Sequence, residues 1–195
     1  MSLPSMMASR MPSWARRRSV NILLLLGALP AMLAACSPTL NWRETPIPGA
    51  SVAALLPCEP DHARRSVPLG GVPTDLTMAG CDAGGATFAI MVAQAPAAQA
   101  GALLAGWRTA TQSNMHAQDV QQQPFQPRGA ISLPESVRIS ARGQKADGRA
   151  VTAQAVWTAR IAPGGSAAQL VHLVMYSEKP MPEAAETFFS GLKLQ

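Results

Sequence analysis

Histidine is scarce in this chain of 195 residues, where only His62, His116 and His172 occur. No two of them stand at helical or strand spacing, and none is set with Cys or carboxylates in a metal-ligand pattern. The nearest fragment, His62 beside Glu59 and Asp61, offers few donors on a charged loop. Gly-x-Ser-x-Gly is missing, and with it the usual strand-to-helix turn of a hydrolase nucleophile. Gly80-Cys81-Asp82-Ala83-Gly84-Gly85 is followed by neither Lys nor a helix, so it is no phosphate loop. Ser166 follows Gly164-Gly165 within a hairpin turn, which accounts for those glycines without chemistry. The residues mark out no reaction, cofactor or metal, and the expectation is a protein that is not an enzyme. A long apolar run is also lacking: residues 20–33 are mostly apolar but interrupted by Asn21, Gly27 and Pro30. A membrane-spanning helix needs about 20 apolar residues.

What is present begins with Arg10, Arg16, Arg17 and Arg18, then that short apolar run, then Leu33-Ala34-Ala35-Cys36. Basic flank, apolar centre and small residues before a cut are the pattern of a cleaved export signal. Leu33-Ala34-Ala35-Cys36 resembles the lipobox of bacterial lipoproteins. The resemblance implies cleavage before Cys36, a diacylglyceryl group on its thiol and an acylated amino terminus. Such a multiply acylated (palmitate-type) Cys36 is a lasting membrane anchor, because each buried methylene contributes ~0.8 kcal/mol. Ser37 in the next position is similar to lipoproteins sorted to the outer membrane, which implies its periplasmic face. The expected organisation is a signal peptide over 1–35, a tether over 36–50 rich in Pro and Gly, and one domain over 51–195.

Formal net charge is +5 for the whole chain. Four of the 16 basic residues precede Cys36, whereas all 11 acidic residues follow it, so the mature chain carries about +1. Nucleic acid is therefore not an expected partner. Arg138, Arg142, Arg149 and Arg160 are read as a solvated sheet face, with a site for an anionic polymer as the lesser alternative. Cys58 and Cys81 enclose 22 residues. An even pair in an exported chain reads as a structural disulfide.

Residues 75–81 and 86–94 flank a Gly-rich turn and predict a hairpin. Pro96 opens a helix in which Ala100, Leu103, Leu104, Trp107 and Thr111 recur at helical spacing. Residues 121–129, with four Gln and two Pro, read as a loop. Residues 136–145, 150–162 and 168–177 alternate as a three-stranded meander, turned at Asp147-Gly148 and at residues 163–166. Trp157 falls on the apolar face of the middle strand, with Trp107, Phe188 and Phe189 as expected partners. His172 falls opposite Val171, Leu173 and Met175 and reads as solvent-facing or partly packed. Pro182 opens a last helix with Ala185, Phe188, Phe189 and Leu192 on one stripe. The expected fold class is α+β: an antiparallel sheet (hairpin, helix, three-stranded meander, helix) with both helices packed on one face. This element order and the aromatic last helix resemble PsbP-like exported domains over residues 51–195. That resemblance brings no catalytic residues.

The expected function is a lipid-anchored periplasmic domain that binds another cell-envelope protein. A small-molecule or lipid binder using the gap between sheet and helices is the alternative. A pocket with convergent polar groups favours the alternative, whereas a flat exposed apolar patch favours the protein partner.

Overall fold

A computed structural model describes residues 39–195 except Gly70 and Ala146. The proposed signal and Cys36 lie outside the described residues. Strand β1 (Arg43–Pro46) pairs with β2 (Val52–Leu56). Next come β3 (Asp61–Leu69), β4 (Val72–Ala83) and β5 (Ala86–Pro96), then helix α1 (Ala100–Asn114). The chain continues through β6 (Gln118–Pro124), β7 (Val137–Gln144), β8 (Ala150–Ile161) and β9 (Ala167–Ser177). Helix α2 (Pro182–Ser190) and the short β10 (Lys193–Leu194) close it.

Among the described residues, seven strands form one antiparallel sheet in the order β3-β4-β5-β9-β8-β7-β6. Two meanders, β3-β4-β5 and β6-β7-β8-β9, meet where β5 pairs with β9 along its full length. A second sheet, β1-β2-β10, is smaller. Strand makes up 52% of the described chain and helix 17%, so the fold is sheet-dominated rather than the expected α+β.

The expectation that both helices cover one face is also corrected. Ala100, Leu103, Leu104 and Trp107 of α1 pack on Ala93, Ala155, Trp157, Leu170 and Val174. On the other face, Phe188 and Phe189 of α2, with Val52, Ala54 and Leu56 of β2, cover Phe88, Ile90, Val156, Val171 and Leu173. The cause lies in the central strands. In β5, Phe88, Ile90 and Val92 point to one layer and Ala89, Met91 and Ala93 to the other. β9 is buried along nearly its whole length. A strand buried on both faces needs cover on both, and each helix supplies one side. In β8, Val156 and Thr158 belong to the second layer and are fully buried, where a polar face was expected. Thr158 Oγ1 is satisfied there by Ser136 Oγ at 3.2 Å.

Two segments expected as loops are edge strands. Residues 61–65 belong to β3, and Gln121, Gln122, Gln123 and Pro124 pair with β7. All seven residues of β6 are exposed, so no apolar alternation marks it. A register shift between Gln118 and Gln121 bulges this edge, a common way to blunt it. Part of the expected tether joins the fold, since β1 pairs with β2 and Trp42 meets Phe88 edge-on at 5.7 Å.

The Cys58–Cys81 disulfide is present, with its Cα atoms 6.0 Å apart. It ties the chain just after β2 to β4, and so links the two sheets. The β4–β5 hairpin turns on Gly84 and Gly85 at φ +60° and +79°, left-handed conformations that glycine adopts without a Cβ clash.

Candidate functional site

The N-terminal half of α1 is fastened by Ala100, Leu103, Leu104 and Trp107, but its second half buries no side chain. Beneath it the sheet carries small residues, Ala89, Ala153 and Ala155. The next large side chain is Met115, just past the helix. It seats against β7 because Gly143 has no Cβ, and an added one would lie 2.4 Å from Met115 Cε. A cavity of about 440 Å³ remains between α1 and the sheet. Ligand pockets typically span about 300–1,000 Å³.

His172 and Trp107 form its inner end, with Met91 beside them. Met91 and Trp157 are the direct cross-strand neighbours of His172 on β5 and β8. Thr87 and Tyr176, themselves cross-strand partners, line the floor four residues further along each strand. At about 3.3 Å per residue, the cavity runs some 13 Å along the strands. Exposed Asn114 and Gln144, with half-buried Lys145, surround the mouth.

His172 is 1% exposed, which corrects the solvent-facing reading. Its ring stacks on Trp157 at 4.4 Å and 10°, and Trp107 meets it edge-on at 5.2 Å. Burial lowers its pKa to about 4, with the Val156 hydrogen bond opposing the shift. The imidazole is therefore neutral at pH 7. Nδ1 lies 3.0 Å from Val156 O, and a carbonyl oxygen only accepts, so Nδ1 carries the proton. Nε2 is left as a lone-pair acceptor. The fully enclosed polar side-chain atoms without a partner are Trp157 Nε1 and Ser177 Oγ among the described residues. Nε2 has no hydrogen-bond partner among the described residues, and His172 lines the cavity. Burial also raises the pKa of the Tyr176 phenol, keeping it a neutral hydroxyl.

The other residues singled out in the sequence do not converge. His62 is exposed on β3, and exposed His116 follows α1. No group of three or more His, Cys, Asp or Glu that could hold a metal occurs among the described residues. The four arginines are parted, each with its own partner. Arg138 bonds Glu186 and Gln154 while lying over the Phe189 ring, and Arg142 pairs with Asp119. Arg149 pairs with Asp147 and Glu178, and Arg160 bonds Gln169. These four form no shared anion site among the described residues. Among the described residues, the large exposed apolar side chains, Val72, Val120 and Ile161, stand on three separate strands and form no broad patch.

The sequence carries one signal for this site. His172 interrupts an otherwise apolar run, Leu170 to Val174, on a central strand. No protein-family model matches the chain, and no curated protein matches its sequence.

Proposed function

We propose that this is a lipid-anchored protein of the bacterial cell envelope, held through acylated Cys36, whose domain binds a small, mainly apolar molecule between α1 and the large sheet. The cavity itself carries the reading. It is of ligand size, walled by Trp107, Met91 and Met115, and supplied with a few polar groups from His172, Tyr176 and Lys145. Binding of another envelope protein is the second reading. It is favoured by the exposed edges β3 and β6, where an extended segment of a partner can add a strand.

The anchor is tested by metabolic labelling with a fatty acid, which should mark the wild type and not Cys36→Ser; equal labelling refutes it. The pocket is tested with naphthalene as an apolar probe of the full chain in detergent, followed by the methyl resonances of Met91 and Met115. Thr111 lines the cavity from α1 and is half-buried, so Thr111→Phe fills the space without opening the core. Probe-induced shifts should appear in the wild type and vanish in Thr111→Phe, with unchanged circular dichroism. Shifts of equal size in both proteins would move the binding elsewhere.

A further inference from the structure

We infer that the molecule held in this pocket is a phenol, whose hydroxyl donates to Nε2 of His172. The inference rests on the pocket reading and gives it a ligand class. A small apolar ligand would need no more than Met91, Met115 and Trp107. Yet the cavity is also lined by a buried imidazole with one nitrogen committed and the other without a partner among the described residues. Nδ1 is occupied by Val156 O, and the ring is clamped between Trp157 and Trp107, so it cannot turn to satisfy Nε2 within the protein. An acceptor kept rigid and neutral in the cavity wall, with no partner among the described residues, selects a donor. A ligand that brings an O–H gains the bond, and one without it leaves a desolvated lone pair.

The surroundings decide what bears that hydroxyl. Met91 stands directly across the strands from His172 and Trp107 lies above it, a thioether and an indole beside one position. Thioethers and aromatic edges both favour a flat aromatic ring. The ring hydroxyl then reaches His172, and the remainder of the molecule runs about 13 Å toward Tyr176 and the mouth at Lys145.

The test compares 2-naphthol with naphthalene, which share the ring system and differ in the hydroxyl. Both are titrated into the full chain in detergent at pH 7.5, with free concentrations corrected for partition into micelles. The readout is the Met91 methyl resonance, assigned through Met91→Leu. The expected result is a Kd for 2-naphthol at least about tenfold below that for naphthalene, since the bond also relieves a buried unpaired acceptor. Equal affinities, with Met91 shifted by both, would overturn the phenol and leave the pocket reading intact. Tighter binding of 2-naphthol without any Met91 shift would place it elsewhere and also overturn the inference. No binding of either compound would end both readings.

Discussion

Replacing Trp157 by alanine tests the packing that forms the pocket's inner end. Its indole is fully buried on the α1 side of β8 and carries His172 on its face at 4.4 Å. Phe188 and Phe189, expected as neighbours, lie in the opposite layer. A buried aromatic removes about 150–250 Å² from water. At ~25 cal/mol per Å² that is worth about 4–6 kcal/mol. The substitution also discards an N–H that has no partner, and such a buried donor costs about 1–3 kcal/mol. The two terms leave about 1–5 kcal/mol; with the ~3–5 kcal/mol seen when large aromatics are truncated, which includes the cavity left behind, a net loss of about 3–4 kcal/mol is expected. A domain of this kind has only ~5–15 kcal/mol in all. With a urea slope of about 2 kcal/mol/M, the midpoint should fall by some 1.5–2 M. The assay is urea unfolding of the chain from Ser37 onward, followed by circular dichroism. Trp157→Phe keeps a ring beneath His172 and removes the unpaired N–H, so its midpoint should fall by less than half as much. A Trp157→Ala midpoint within about 0.3 M of wild type would refute the reasoning, because the side chain could not then be filling the space assigned to it.

His172 should make the fold acid-sensitive. Its imidazole stays neutral in the folded chain down to about pH 4, while the unfolded chain takes up the proton near pH 6.5. The unfolded state binds more protons across that interval, so stability is complete above pH 6.5 and falls toward pH 4, by about 3 kcal/mol. Urea midpoints measured from pH 7.5 to 4 should show this slope in the wild type and a flatter one in His172→Gln; parallel curves would refute it. The Cys58–Cys81 bond closes a loop of 22 residues, and its replacement by two serines should cost roughly 3 kcal/mol on the chain-entropy model. Unreduced protein from cells should yield one linked peptide pair by mass spectrometry, and two freely alkylated thiols would contradict the bond.

Local chemistry settled much of this protein from its residues alone. Gly84-Gly85, Asp147-Gly148 and Gly164-Gly165 turn the chain because the turns need conformations that suit glycine. Pro182 opens α2 because its missing N–H is not needed at a helix start. Strand β7 and the buried stripe of α1 were legible because one covered face imposes a period on the residues. Cys58 and Cys81 were paired by count, and the structure joins them. Where no face is covered, the period disappears: β6 and most of β3 are exposed, so no apolar pattern announced them. Where both faces are covered it disappears as well, because β9 reads as a continuous apolar run whichever helix lies above or below. That ambiguity hid the side on which each helix packs. The same ambiguity hid His172, since a strand's alternation says which residues share a layer but not whether that layer meets water or a helix. Only tertiary packing decided it, by placing Trp107 and Trp157 against the imidazole and alanines near it, so that the space left by small side chains became a pocket lined by a buried histidine.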